Sequence, residues 1–291
     1  PYVTMVVRDI GARRDGFVEL PAGMRESIAE EWEQFLGGGA AKPAEVEQRW
    51  PAPGSTATGG WVETAWIQLA PYNKFCPLDI LMDDPERSPT GCVATALSQI
   101  INYHKYIGGL QLGSGDSYFS PCGPDAAAGV MIDSDSATAD FPAFGQLNAH
   151  LVSIETKYAA GQSLTEDEIA ALNFTVGILA RTQYSWTQGS GAADDWFFDN
   201  FTGAHGIGYD CTVKSTHDAD FYAVLKSNMM EGLPATLTIN KTYVCAVNHE
   251  VVVDGYSTDG FYHLNFGWGD SSPDNIAGAW YRLPEGMGSG Y

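Results

Sequence analysis

Apolar residues recur along this chain with a helical spacing in its first two thirds and with a strand-like spacing in its last third. The most regular helical stretch follows Gly91, where Val93, Leu97 and Ile101 are spaced four residues apart. Because an α-helix repeats every 3.6 residues, this spacing places the three side chains on one face. It predicts a largely buried helix over 91–106.

The other elements are predicted from the same helical spacing, from capping signals and from alternating or continuous apolar runs. The predicted helices cover 21–36, 145–159, 166–182, 191–202 and 218–231. The predicted strands cover 2–7, 16–20, 235–239, 249–256, 261–266 and 279–283. The segment 108–144 is rich in turn residues and is predicted to be irregular. Most helices precede an antiparallel sheet, and that order predicts an α+β fold.

A stretch of small and turn-forming residues separates the first predicted helix from the rest of the chain. It runs from Gly37 to Gly60 and consists largely of Gly, Pro, Ala, Ser and Thr. Such a composition predicts a loop-like linker that proteases cleave readily. The sequence therefore divides into a segment 1–60 and a main domain 61–291.

Cys92 stands at the first turn of the predicted helix 91–106. Unpaired backbone N–H groups and the helix dipole stabilise an anion at that end, so the position predicts a thiol with a lowered pKa. The thiolate is the nucleophilic form of cysteine. The alternative is that Cys92 is a small apolar residue of a core helix.

The overall charge excludes some classes of partner. The chain has 291 residues, with 36 acidic against 15 basic residues and a formal net charge of −21. A polyanion would be repelled, which argues against nucleic acid and against an anionic membrane as partners. No apolar run is long enough to cross a bilayer. The chain begins at Pro1, and we expect it to be a processed or truncated piece.

The five cysteines show no C-x-x-C spacing, so they predict no zinc framework. No metal or organic cofactor is implied for the chain. An odd count fits one functional thiol and four others. Those four could form up to two disulfides in three connectivities, or stay reduced, and we favour mostly free thiols. They are Cys76, Cys122, Cys211 and Cys245.

A nucleophilic thiol needs a base, a group that orients the base, and donors for the oxyanion. His249 opens an apolar predicted strand, and Asn265 lies sixteen residues later on the partner strand of the presumed hairpin. An amide there could accept from one imidazole nitrogen and leave the other for the sulfur. Gln68 could supply a side-chain N–H beside the Cys92 amide. Each of these residues, taken alone, also fits a purely structural role.

Several motifs together resemble the streptopain family of bacterial cysteine proteases. They are Gly91-Cys92-Val93-Ala94-Thr95-Ala96, Tyr103-His104, Asp254-Gly255-Tyr256 and His263-Leu264-Asn265-Phe266-Gly267-Trp268-Gly269. The resemblance covers roughly 61–283 and implies a papain-like α+β fold. In that fold a helical half carries the nucleophile and an antiparallel β half carries the His.

Carried over by position, the resemblance implies a Cys–His–Asn triad with Cys92 as nucleophile and His249 as base and acid. Asn265 would orient His249, and Gln68 would form the oxyanion hole with the Cys92 amide. The segment Val247-Asn248-His249-Glu250 departs from the family pattern. As a strand neighbour, Glu250 is expected to point away from the site.

The resemblance also implies roles for residues around the triad. Trp268 and Phe266 would form an aromatic cover over the site. Asp254 is interpreted as a group that tethers a turn, and His263 as a structural residue. A bulky apolar side chain just before the cleaved residue is implied for the substrate.

The family further implies a bacterial, secreted or cell-surface zymogen that hydrolyses protein or peptide substrates. Residues 1–60 would be a pro-region remnant and linker, with the pro-region acting as the enzyme's own inhibitor. Two alternatives stay open from the sequence. One is an enzyme that transfers the acyl group to form an amide, and the other is a catalytically silent surface-binding domain on the same fold.

Overall fold

The computed structural model describes residues 48–121, 128–192, 194–209, 213–239, 249–269 and 279–283. Within these ranges helices precede an antiparallel sheet, which confirms the α+β prediction. The helices are α1 (Cys92–His104), α2 (Phe144–Ala159), α3 (Glu166–Leu179), α4 (Asp194–Phe198) and α5 (Phe221–Glu231). The strands are β1 (Arg49–Trp50), β2 (Phe119–Pro121), β3 (Gly129–Met131), β4 (Ala235–Ile239), β5 (His249–Ser257), β6 (Phe261–Asn265) and β7 (Ala279–Arg282).

Strand β5 is the centre of the main sheet. Strands β1 and β4 pair with it, β6 pairs with it as the second arm of a hairpin, and β7 extends the sheet beyond β6. Every pairing is antiparallel, and every residue of β5 is buried. A strand covered on both faces reads as a continuous apolar run, which explains the sequence Val251-Val252-Val253. The register shifts between Val253 and Gly255, so the hairpin contains a bulge-like irregularity.

Helix α1 lies between the helical half and the sheet. It packs against α3 on one side and against β5 on the other. Its residues from Val93 to Ile101 are all buried, so the helix is enclosed between the two halves. Ala96 and Ile100 contact a small cluster that includes Val252 of β5. This small cluster connects α1 to β5.

The remaining helical core surrounds α2 and α3. Thr165 caps α3 through its side chain, and Glu168 completes the capping box that the sequence predicted there. Large buried side chains fill the space between these helices and α1. They include Ile107, Ile132, Leu147, Leu151, Ile154, Leu172, Phe174 and Ile178.

Short elements were missed by the sequence analysis. Residues 108–144 contain the small hairpin β2–β3, in addition to irregular structure. Strand β1 lies within the predicted linker, where Arg49 and Trp50 pair with Ser257 and Tyr256. The described end of that linker is therefore attached to the sheet. The predicted helix 191–202 consists of α4 followed by a π-helix at Asp199–Ala204.

Some predictions lie outside the described residues. These are the strands at 2–7 and 16–20, the helix at 21–36 and the residues Cys122, Cys211 and Cys245. Cys76 and Cys92 are free thiols, and Cys76 is buried. Among the described helices, none combines the length and apolar character that a membrane span requires.

A buried hydrogen-bonded pair connects the segment before the site to the β5–β6 hairpin. The Asp254 carboxylate contacts the His263 Nδ1 at 2.6 Å, and both side chains are fully buried. The second carboxylate oxygen of Asp254 accepts the Val62 N–H at 2.8 Å. The predictions that Asp254 tethers a turn and that His263 is structural agree with these contacts. Gly60 lies directly against the pair, with no room for a side chain.

We expect Gly60→Ala to destabilise the fold by about 3 kcal/mol, because the added methyl group would overlap Asp254 and His263 and separate a buried pair. Urea unfolding checks this value. Gly145→Ala is the matched control, since a methyl group there meets nothing within 4 Å and Gly145 lies in a helix. Equal unfolding midpoints for the two variants would contradict the prediction.

Candidate active site

Cys92 begins α1 in a rigid backbone setting. Gly91 precedes it with φ 87°, a conformation that glycine adopts readily and L-residues rarely. A methyl group on Gly91 would also lie 3.2 Å from the Ser190 carbonyl oxygen. The Gly91 carbonyl accepts the N–H and the hydroxyl of Thr95, each at 3.0 Å. Glycine is therefore required at this position, and the thiol is presented by a fixed turn.

His249 is the first residue of β5 and is 3% exposed. Its Nε2 lies 3.0 Å from the Phe266 carbonyl oxygen. A carbonyl only accepts, so Nε2 carries the proton and donates it. In the neutral ring the lone pair is then on Nδ1, and Nδ1 is the basic nitrogen.

Two aromatic rings stack on the imidazole. The Trp268 ring centroid lies 5.1 Å from that of His249, and the Phe266 centroid lies at 6.1 Å. The planes differ by 21° and 13°, so both rings cover a face of the imidazole rather than its edge. Trp268 and Phe266 thus stack on His249, and their role as a cover of the site stays a prediction.

Asn265 does not pair with His249 in this structure, which corrects the predicted orienting contact. Its Nδ2 donates to the Thr64 carbonyl at 2.7 Å and to the Gln99 Oε1 at 3.2 Å. Its Oδ1 accepts the Gly267 N–H at 3.0 Å. These bonds use the amide within its own turn, and the backbone carbonyl one residue later takes the imidazole N–H. A backbone acceptor gives no signal in the residue types, so the sequence could not identify it.

Gln68 lies in a bend that is hydrogen-bonded to the residues just before α1. Its carbonyl accepts the Thr90 N–H at 2.9 Å, two residues before Cys92. The preceding residue, Ile67, forms an isolated antiparallel bridge with Trp268. Gln68 is half-buried. The structure therefore brings the segment of Gln68, the start of α1 and the Trp268 turn together.

Cys92 is partly buried at the start of α1, which packs against β5. Desolvation raises the pKa of the Cys92 thiol, and backbone N–H groups, that of Glu250 foremost, oppose the rise only in part. The negative charge of Glu250 raises the pKa further. The lowered pKa predicted from the helix dipole is wrong for this state, because desolvation outweighs the dipole. The Glu250 carboxylate also accepts the Thr238 hydroxyl at 2.7 Å.

Burial also favours the uncharged form of the base. It lowers the pKa of His249 from 6.5 to about 4, although the Phe266 carbonyl partly supports the protonated ring. Together, the raised pKa of the Cys92 thiol and the lowered pKa of the His249 imidazole make both groups uncharged at neutral pH. The Nδ1 lone pair is then available to accept a proton.

This pKa shift predicts how stability depends on pH. Between pH 6.5 and about 4 the unfolded chain binds a proton at His249 that the folded chain does not. The free energy of unfolding should therefore fall as the pH drops through this range, by about 3 kcal/mol from His249 alone. Urea unfolding from pH 7.5 to 4 checks it. In His249→Ala the same titration should be flatter by that amount, and parallel curves would refute the assignment.

A pocket of about 440 Å³ lies next to the segment that packs against Gly91. Gly189, Gly191 and Ala192 line it, and their neighbour Ser190 packs against Gly91. Gln183, Gln188 and Trp196 complete much of the wall. The sequence analysis did not identify these residues as pocket-forming, because they carry no charge or spacing that indicates a pocket. Among the described residues, no group of three His, Cys, Asp or Glu side chains could hold a metal ion.

Comparisons with known proteins agree on one family. The sequence model of the peptidase C10 family matches residues 66–274. Streptopain from Streptococcus pyogenes serotype M28 (strain MGAS6180) is 27% identical and covers 76% of this chain. Streptopain from serotype M1 shows the same identity and coverage. The alignments include 54% of each relative, so the chain spans about half the length of the curated relatives it matches.

Two solved structures share the fold. Active wild-type interpain A cysteine protease from Prevotella intermedia superposes with a TM-score of 0.51 at 24% identity, covering 77% of this chain and 85% of that one. A prointerpain A fragment from the same organism gives a TM-score of 0.52 at 24% identity, covering 77% and 64%. These likenesses confirm the papain-like arrangement expected for the two halves.

Proposed function

Because the chain belongs to the peptidase C10 family, we propose that it is a cysteine endopeptidase that hydrolyses peptide bonds of protein substrates. The observation that supports this most directly is the position of two groups on elements that pack together: Cys92 begins α1 and His249 begins β5. The Phe266 carbonyl accepts the hydrogen bond from His249 Nε2–H, which leaves Nδ1 as a base.

The proposed reaction begins with the neutral pair. His249 Nδ1 takes the thiol proton as the Cys92 sulfur attacks the peptide carbonyl carbon and forms a tetrahedral oxyanion. The oxyanion collapses, the C–N bond breaks, and the leaving amine takes the proton from His249. The acyl group is then held as a thioester on Cys92. Water, deprotonated by His249, attacks the thioester, and the thiol leaves with the proton.

Donors for the oxyanion are proposed at two positions. The Cys92 backbone N–H is at the first turn of α1, where N–H groups have no partner within the helix. The Gln68 side-chain amide lies on the segment that is tied to Thr90. Two such donors stabilise the charge that develops in the transition state.

Asn265 receives a different role from the one predicted. Its side chain accepts the Gly267 N–H and so fixes the turn that contains Phe266. The Phe266 carbonyl then holds the imidazole. Asn265 is therefore proposed to act on His249 through the backbone, and the third partner of the Cys–His pair is a carbonyl oxygen.

The biological setting is proposed from the family alone. Secretion, a bacterial cell-surface location and a zymogen state follow from the resemblance. So does a pro-region remnant over residues 1–60 that inhibits the domain 61–291. Arg49 and Trp50 pair with β5, and we propose that this end of the segment remains on the catalytic domain when the pro-region is removed.

The assay that tests the proposal uses casein under reducing conditions. We expect cleavage that iodoacetamide abolishes and that a chelator leaves unchanged, since the chemistry requires a thiol and no metal. Products are compared with and without an added amine. New free carboxyl termini support hydrolysis, amide products would indicate acyl transfer, and an intact substrate would favour a binding protein.

A further inference from the structure

One buried amide oxygen joins three segments of the candidate active site. Gln99 lies in α1, two turns after Cys92, and is fully buried. Its Oε1 accepts three hydrogen bonds. The donors are the Thr64 hydroxyl at 3.0 Å, the Trp66 N–H at 3.1 Å and the Asn265 Nδ2 at 3.2 Å.

The nitrogen of the same side chain is not used in this way. Gln99 Nε2 is buried and has no hydrogen-bond partner among the residues that the structure describes. A buried polar atom without a partner costs free energy, so the orientation of this amide is determined by its oxygen. Gln99 therefore acts as a hydrogen-bond acceptor through Oε1, and its Nε2 has no partner among the described residues.

Each bonded segment carries a different part of the proposed chemistry. Thr64 and Trp66 begin the segment that leads to Gln68, and the Gln68 carbonyl is bonded to Thr90 next to the nucleophile turn. Helix α1 itself carries Cys92. The hydrogen bonds to the Gln99 oxygen therefore hold the Gln68 segment, which supplies the second oxyanion donor, in a fixed position relative to the thiol on α1.

The third bond connects Gln99 to the base. Asn265 bonds to both the Gln99 oxygen and the Thr64 carbonyl, and its own oxygen holds the Gly267 N–H. Phe266 lies between Asn265 and Gly267, and its backbone carbonyl accepts the hydrogen bond from His249 Nε2–H. A shift of the Gln99 oxygen would therefore move the carbonyl that orients the imidazole.

We propose that Gln99 is a positioning residue for the reaction. Its side-chain oxygen keeps Cys92, the Gln68 segment and the Phe266 carbonyl that binds His249 in fixed positions relative to one another. This inference rests on the proposed function. Gln99 does not touch the substrate or the reacting atoms. It acts through Trp66, Asn265 and the helix that it belongs to.

The test compares two substitutions of similar size and one control. Gln99→Met removes the acceptor and keeps the length, whereas Gln99→Glu keeps an oxygen at that place. Ser98→Ala is the control, because Ser98 is the adjacent fully buried polar residue and its hydroxyl has no partner within the described ranges. Each protein is assayed for kcat and KM on a fluorogenic peptide, for its melting temperature, and for the rate at which iodoacetamide labels Cys92 at pH 7.

We expect Gln99→Met to lower kcat by about 10- to 100-fold with KM changed less than about twofold, because misplaced groups slow the chemical step rather than binding. Labelling of Cys92 should slow by about tenfold, since the sulfur loses its alignment with the base. Gln99→Glu should recover most of kcat, and Ser98→Ala should match the wild type.

The inference is overturned if Gln99→Met matches the wild type in kcat and in labelling, or if Gln99→Glu is as slow as Gln99→Met while folded. Losses that simply follow the melting temperature in all variants would also overturn it. The labelling rates do not depend on peptide turnover. A wild type that labels rapidly but cleaves nothing would refute the proposed function, and the difference in labelling between wild type and Gln99→Met would still decide the role of Gln99.

Discussion

Replacement of Cys92 by alanine should reduce peptide hydrolysis by about 10⁴-fold or more, because the proposed acyl intermediate forms on the Cys92 sulfur. The fold should survive, since the Gly91 turn and the buried face of α1 do not depend on the sulfur. Activity is measured on casein and on a fluorogenic peptide, and the melting temperature is measured alongside.

Cys76→Ala is the matched control for this variant. Cys76 is the other free thiol among the described residues, and burial raises its pKa far above the ordinary value. We expect that variant to lose some stability and to keep its rate per folded molecule. Full activity in Cys92→Ala would show that another residue is the nucleophile and would refute the mechanism.

Replacement of His249 by alanine should have an effect of nearly the same size. Without Nδ1 the thiol proton has no acceptor, and burial keeps the pKa of Cys92 above its ordinary value. We expect kcat/KM to fall by about 10³- to 10⁴-fold near pH 7. The loss should shrink as the pH rises, because hydroxide then ionises the thiol without help from the base.

The measurement is kcat/KM between pH 5 and pH 10 for wild type, His249→Ala and the control His150→Ala. His150 contacts Phe75 and lies outside the candidate site. The control should follow the wild-type profile throughout. A His249→Ala profile that runs parallel to the wild type, without recovery at high pH, would mean that His249 does not act as the base.

The elements that carry the site were predictable from the sequence because they are long and regular. Helix α1 has a sustained helical repeat, and the hairpin of β5 and β6 has a continuous apolar run and a clear turn. Cys92 and His249 stand at the first residues of α1 and β5, and their joint role was predicted from the resemblance to the streptopain family rather than from the order of the elements. The two-residue strand β1 and the hairpin β2–β3 have too few residues to produce a repeat.

The finer contacts of the site depend on atoms that the sequence does not display. The acceptor for His249 is a backbone carbonyl, and any residue at position 266 would supply it. Asn265 was expected to bond to the imidazole, but in the structure its amide is hydrogen-bonded to the Thr64 carbonyl and the Gly267 N–H instead. Gln99 was overlooked because it lies in an apolar helix, where spacing alone gives no reason to single out a glutamine.

The pKa predictions show the same limit. A thiol at a helix N-terminus was expected to ionise easily, but the sequence contains no measure of desolvation. His249 is buried and Cys92 is partly buried, and desolvation favours the uncharged form of each. The balance between the dipole and burial depends on the packing around the site, which only the structure gives.

The central claim is that Cys92 carries the acyl group during turnover, and the most direct measurement is to trap that thioester. The enzyme is mixed with the nitrophenyl ester of a blocked amino acid, quenched in acid within the first turnover, and analysed by intact mass and peptide mapping. The account predicts a mass increase equal to the acyl group on the peptide that contains Cys92, in step with a burst of nitrophenol and absent from Cys92→Ala. Turnover with an unmodified Cys92, or an acyl group on another residue, would contradict it.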